Sequence, residues 1–199
     1  MKRVLSGMLA FMLVLGLCGC QTAAEKGGKM WLSQGGEVDY SQYTFQFELP
    51  EKFTMKQGSK QDGTISYSSP DGDSISVTAA AGSDIFASDV TEEEVVSEAQ
   101  ETFSELLGSD FEIKNVEFST GTIDGCPSYQ IFCSMEVLGA AWDQMVICVN
   151  GDKLYTFTYS NNGGGTKTSE MERWQESIHA VPGSFDSDAF GAVLPEGEG

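Results

Sequence analysis

The chain has 199 residues, 40% hydrophobic and 21% charged, enough for one domain with a substantial core and no need of a second. Asp and Glu number 30 against 11 Lys and Arg, and loss of Lys2 and Arg3 with a leader leaves 30 against 9, a net charge of −21. That balance excludes nucleic acid and anionic headgroups as electrostatic partners, since phosphate binding draws on clustered Lys and Arg; it suits colloidal solubility outside a cell.

The N-terminus reads as an address. Met1, Lys2 and Arg3 form a positive start, and Val4 to Leu17 is an apolar run of 14 residues broken only by Ser6. A bilayer span needs about 20 apolar residues, so this run is too short and reads as a secretory signal. Leu17, Cys18, Gly19 and Cys20 then resemble the lipobox of bacterial lipoproteins, in which an aliphatic residue and two small ones precede an obligatory cysteine. The resemblance implies that Cys20 takes a diacylglycerol on its thiol and becomes the new N-terminus, while Cys18 leaves with the leader. Two acyl chains hold a protein stably on a membrane at about 0.8 kcal/mol per buried CH₂, with no transmembrane segment.

Residues 20–39 are rich in Gly, Lys, Glu, Gln and Ser, the composition of a flexible tether, interrupted by Met30, Trp31 and Leu32. Tyr43, Phe45, Phe47 and Leu49 alternate with polar residues, the period of a strand with one buried face, and Pro50 ends it. Thr64–Ser69 and Ser74–Thr78 flank Asp71-Gly72, which suits a tight hairpin. Thr91 and Glu94 have capping-box spacing at the head of a helix with Val95, Ala99, Phe103 and Leu106 on its buried stripe and Gly108 as its stop. Hairpins follow across Asp124-Gly125, joining Phe111–Thr120 to Tyr129–Val137, and across Asn150-Gly151, joining Trp142–Val149 to Lys153–Tyr159.

After the glycine-rich Asn161–Thr168 loop, a second helix is expected from about Ser169 to Ala180, capped by Ser169 with Glu172, with Met171, Trp174 and Ile178 buried. Residues 186–199 are rich in Gly and acid and are expected to be a disordered acidic tail. The expected class is α+β: a mostly antiparallel sheet of about six or seven strands with two helices packed on it. The organisation is a signal peptide over 1–19, a tether over 20–39, a domain over 40–185 and the tail over 186–199.

The order of these elements resembles the PsbP-like fold. The matching pieces are the Phe45–Pro50 strand, a helix before the β section, Gly125 with Pro127, GDKLYTFTY over Gly151–Tyr159, and the Trp174 helix followed by Ser184 and Phe185. Coverage runs from about Tyr43 to Phe185. The superfamily includes an extrinsic photosystem II subunit, a nuclear-import factor that binds the small GTPase Ran, and many bacterial lipoproteins. The resemblance implies a fold and no reaction.

Chemical motifs are absent. His179, the one histidine, is expected in the last turn of the second helix, where a cation meets the negative end of the macrodipole. No nucleophile motif accompanies it, and Cys126, Cys133 and Cys148 lack metal-ligand spacing. Their odd number leaves at least one thiol unpaired; a Cys133–Cys148 bridge is open, and Cys126 in its turn is the best candidate for an exposed thiol. Asp71-Gly72-Asp73 begins like a calcium loop, but Ile75 and Val77 stand where oxygen ligands are needed. Asn161–Gly165 resembles a phosphate-cradling loop in glycine content but lacks the P-loop Lys and Ser/Thr, so a flexible connection is expected.

The reading is a lipid-anchored envelope lipoprotein on the extracytoplasmic face of a bacterial membrane, held through Cys20, with no catalytic residues, metal or cofactor. Its domain is read as a non-catalytic binding or accessory module for an envelope protein or a small ligand. A stabilising subunit of a membrane complex, or an envelope enzyme built from carboxylates scattered in sequence, are the alternatives.

Overall fold

The computed structural model describes residues 29–31, 37–39, 42–55, 64–80, 90–107, 111–137 and 140–183. The signal peptide, Cys20, most of the tether, Ser184, Phe185 and the acidic tail lie outside the described residues. In chain order the elements are β1 (Lys29–Trp31), β2 (Glu37–Asp39), β3 (Tyr43–Gln46), β4 (Thr54–Met55), β5 (Thr64–Ser68), β6 (Ser74–Ala80), α1 (Glu92–Leu107), β7 (Phe111–Ile123), β8 (Cys126–Val137), β9 (Ala140–Asn150), β10 (Leu154–Asn162), α2 (Ser169–Glu176) and β11 (His179–Pro182).

Seven strands form one sheet in the order β4-β5-β6-β10-β9-β8-β7, each pair antiparallel; β3 with β11, and β1 with β2, pair separately. Side chains of a strand alternate between faces, and β9 and β10 are buried on both. Met145, Ile147, Val149, Tyr155, Phe157 and Tyr159 point into one core, with Phe45 and Phe47 of the ribbon and Met171 and Trp174 of α2. Val146 and Cys148 point the other way, into a second core with Tyr129, Ile131, Cys133, and Val95 and Ala99 of α1. The expected α+β class, a mostly antiparallel sheet with two helices, stands.

Local signals explain most of the elements. Thr91 N–H donates to Glu94 Oε2 at 3.0 Å and Glu94 N–H to Thr91 Oγ1 at 3.3 Å, closing the capping box of α1. The β7–β8 turn is a two-residue type I′ turn, with φ of +51° at Asp124 and +89° at Gly125 and Ile123 paired to Cys126. Because that turn is so tight, both strands extend beyond the expected limits, and Pro127 sits inside β8 opposite Thr122. The β5–β6 hairpin turns through Gly72 at φ +94°.

Three details differ from the sequence reading. The cap of α2 is Thr168, whose Oγ1 accepts from Met171 N–H at 3.2 Å, one residue before the expected Ser169. The helix stops at Glu176, where Ser177 Oγ donates to Trp174 O at 2.7 Å and accepts from Glu48 N–H at 3.0 Å. The chain after it is extended: His179 begins β11, opposite Gln46, rather than closing a helix, so it meets no macrodipole. Pairing with β3, which also buries Ile178 and Ala180 in the core, outcompetes another helical turn.

The third difference concerns Gly151. Strands β9 and β10 join through Gly151, Asp152 and Lys153, with Asn150 already paired to Leu154, and neither Asn150 nor Gly151 has a positive φ. Glycine is needed there for proximity: a Cβ would lie 2.5 Å from Tyr43 O and 2.9 Å from the Phe45 ring. The turn is docked on the start of β3, where Asp152 N–H donates to Tyr43 O at 2.8 Å and Tyr155 OH donates to Asp152 Oδ1 at 2.6 Å. Gly151→Ala is therefore expected to cost about 2 kcal/mol in equilibrium urea unfolding, the scale of an overpacked core. Gly121→Ala in β7, whose added Cβ meets nothing within 4 Å, should be neutral or stabilising by about 0.5 kcal/mol in the same assay.

Candidate functional site

A cleft of ≈ 710 Å³ lies between the segment after β3 and the outer side of α2, lined by Glu48, Leu49, Lys52, Glu170, Arg173 and Trp174 among others. Its walls follow from local chemistry. Pro50 ends the extended segment, Phe53 N–H returns to Pro50 O at 2.9 Å, and this turn lays Lys52 over the Phe53 ring, 5.4 Å from its centroid. On the other side, the alternating face of α2 sends Trp174 down onto Phe47 and Tyr159 and leaves Glu170 and Arg173 at the rim. The indole N–H of Trp174 is buried with no hydrogen-bond acceptor among the described residues.

Lys52 organises the cleft. Its ammonium donates to Asp73 Oδ2 at 2.6 Å and to Glu170 Oε1 at 2.7 Å, joining the β3–β4 connection, the β5–β6 hairpin and α2. Tyr159 OH, from β10, donates to the same Glu170 oxygen. Partial burial works against the charge on Lys52, but the hydrogen bonds and charges of Asp73 and Glu170 outweigh it and raise its pKa above the ordinary 10.5. Burial likewise disfavours the Glu170 carboxylate, and the Lys52 and Tyr159 hydrogen bonds with the Lys52 charge overcome it, holding the group below the ordinary 4.5. Burial first, and the Glu170 and Asp73 negative charges with it, push the Tyr159 phenol far above its usual range.

This arrangement ties the β3–β4 connection, the β5–β6 hairpin, β10 and α2 together. A general acid or base works best with a pKa near the operating pH, and the shifts here drive all three groups away from neutrality. Lys52 keeps its proton, Tyr159 keeps its proton and Glu170 stays ionised.

The residues singled out in the sequence fall elsewhere. Cys20 lies outside the described residues. His179 is exposed on β11, its Nδ1 3.3 Å from Asp124 Oδ2, and Asp124 also accepts Ala180 N–H at 2.9 Å. The exposed thiol expected at Cys126 is corrected: the residue is fully buried, because the tight turn draws it into β8 and the core. Cys133 and Cys148 are also free and buried. Cys148 faces Tyr129, with Cys133 four residues along β8; at about 3.3 Å per residue that is roughly 13 Å, beyond the reach of a disulfide. Burial pushes the three thiols up to about 11 for Cys126, about 12 for Cys133 and about 11 for Cys148.

The glycine loop also departs from expectation. It is not a loose connection: Gly164 N–H donates to Asp143 Oδ2 at 2.7 Å and Gly165 N–H to the same carboxylate at 2.9 and 3.2 Å. The loop does cradle an anion, but the anion is the buried side chain of β9. Gly163 is held against Trp142 backbone so closely that a Cβ would come within 2.9 Å. Asp73, Glu170, Tyr159 and Lys52 had no motif to reveal them, though a lysine set between Pro50 and Phe53 in so acidic a chain was the available signal.

No protein-family model and no curated protein sequence matches the chain. Among solved structures, it is similar to the cyanobacterial PsbP protein CyanoP from Synechocystis sp. PCC 6803, with a TM-score of 0.52 at 15% identity over 81% of this chain and 98% of that one. It is also similar to LpqN of Mycobacterium tuberculosis, described as involved in cell envelope biogenesis, with a TM-score of 0.42 at 16% identity over 70% and 84% of the two chains. At these identities the likeness to CyanoP is one of fold: the domain is PsbP-like.

Two outcomes follow. Glu170, with its lowered pKa, contributes stability that is complete above the ordinary 4.5 and lost as pH falls through its folded value; Lys52, with its raised pKa, contributes below the ordinary 10.5 and loses it as pH rises through its own. Lys52→Met should therefore cost about 1 kcal/mol, with the deficit in thermal unfolding flat between those values and shrinking in acid as Glu170 protonates. The three domain thiols should stay unmodified by a neutral disulfide reagent at pH 8 in the native state and react fully only in denaturant.

Proposed function

We propose that the chain is an extracytoplasmic bacterial lipoprotein, anchored by diacylglycerol on Cys20 after removal of residues 1–19, with residues 20–39 as a tether and 40–185 as a non-catalytic binding or accessory domain. The observation that carries the second half is the Lys52 cluster. The cleft over Lys52 has its ammonium neutralised by two carboxylates and its phenol held protonated, a wall suited to recognition rather than reaction. His179 lies in the β3–β11 ribbon, and Cys126, Cys133 and Cys148 lie in the cores, away from this cleft.

Support for the first half comes from Lys2-Arg3, the short apolar run and Leu17-Cys18-Gly19-Cys20. The PsbP-like fold agrees with it, since the superfamily that the sequence resembles includes many bacterial lipoproteins; the ligand is of the envelope, either a protein or a small molecule. The test replaces Cys20 by Ala, labels cells with a palmitate analogue and fractionates them. Wild-type protein should carry label and sediment with membranes, and Cys20→Ala should lose both; unchanged labelling and retention would overturn the anchor.

A further inference from the structure

We propose that the outer edge of β7, from Phe118 to Ile123, docks an extended basic segment of another protein as an added strand. Among the described residues β7 is the last strand of the seven-stranded sheet, 13 residues long, and Ser119 to Thr122 are exposed. An edge strand presents a row of unpaired N–H and C=O groups, and proteins ordinarily blunt such edges with Lys, Pro, bulges or shortness. This edge is blunted on one half only. The bulge between Lys114 and Glu117, with Asn115 at φ +49°, interrupts pairing there. From Phe118 to Ile123 the register with β8 is unbroken and there is no charge, proline or bulge. The opposite edge, β4, has two residues and no comparable length.

On the sheet face adjoining the open half lies a groove of ≈ 190 Å³ that runs inward from Gly121 and Ile123 of β7 across Gln130 of β8 to Ile147 of β9, with Gln175 and Glu176 of α2 beside it. Strand addition gains affinity from main-chain hydrogen bonds and specificity from pockets for alternate side chains, and an edge with an adjoining groove supplies both. Gly121 makes the space: a Cβ there would meet nothing within 4 Å. The register runs through Gly121 with no bulge, so the strand stays regular beneath that open space.

Charge selects the occupant. Glu117, Asp124 and Glu176 border this edge, against Lys167, which is 2.9 Å from Glu117, and His179 beside Asp124. The whole chain carries −19. That field attracts a cationic segment and repels a second copy of the chain. The neutral edge itself would contact a backbone with small or β-branched side chains, and Lys or Arg at the ends of the segment would meet the acidic border.

The test titrates the full-length protein in detergent micelles with the peptide KVTVTVTK, its proline-interrupted form KVTPTVTK and its acidic form EVTVTVTE, reading amide hydrogen exchange and affinity. KVTVTVTK should protect amides between Phe118 and Ile123 and bind about tenfold or more tightly than the other two. Gly121→Val, which fills the groove at an unobstructed position, should unfold in urea no earlier than wild type yet weaken KVTVTVTK by about tenfold. No protection at about 1 mM peptide, equal affinity for the three peptides, or unchanged affinity in Gly121→Val would overturn the proposal. A sedimenting dimer that already protects these amides without peptide would also overturn it, assigning the edge to a second copy.

Discussion

The domain depends on one constraint: β9 and β10 are buried on both faces at once. Their side chains alternate, so Met145, Ile147 and Val149 need one cover and Val146 and Cys148 need another. One cover is composite, made of α2 and the β3–β11 ribbon, which bring Trp174, Met171, Phe45 and Phe47 onto Tyr155, Phe157 and Tyr159. The other is α1. Each fully buried aromatic or aliphatic side chain contributes about 1.5–3 kcal/mol, so the covers are held by the sheet as firmly as the sheet by the covers. This is why the chain turns back after Glu176: extended, it adds Ile178 and Ala180 to the same core and a partner for β3.

A second theme is how so acidic a protein places carboxylates close to its core. Each such group among the described residues meets a specific set of donors. Asp143, almost fully buried, is held by the backbone of Gly164 and Gly165. Asp73 and Glu170 share the ammonium of Lys52. Asp124, exposed and at a positive φ in its turn, fastens the surface instead, accepting the backbone N–H of Ala180 and facing His179. These contacts tie elements distant in sequence: β9 to the loop before α2, the β5–β6 hairpin to α2, and the β7–β8 turn to β11. Negative charge thus acts here as fastening as well as solubility, because a buried carboxylate is tolerable only when several donors converge on it.

The same fastening separates two concave places among the described residues. The cleft over Lys52 is closed by ion pairs and lies against the composite cover. The groove at β7 lies where that cover ends, at Gln175 and Glu176, and is bordered by unclosed strand. One is a side-chain wall, the other a main-chain edge, and they differ in the kind of partner they suit.

The sequence determined whatever depends on neighbours a few residues apart. Alternation in Tyr43–Leu49 and Leu154–Tyr159, the Thr91–Glu94 box and the Asp124-Gly125 turn each close their own hydrogen bonds or present their own face, so strands, helix and hairpin were legible. The reading of Cys20 rests on a contiguous motif of the same kind. Where a residue has two local options, tertiary contact chose between them: a strand with β3 over another helical turn at His179, the core over an exposed turn for Cys126, an internal carboxylate over a loose loop for Gly163–Gly165. The Lys52, Asp73, Tyr159 and Glu170 cluster was decided by tertiary structure alone, since its members come from four separate segments and no local spacing links them. Charge pairing acts through space, and only the packing of the sheet against its cover links these four in a chain of hydrogen bonds, Asp73 to Lys52 to Glu170 to Tyr159.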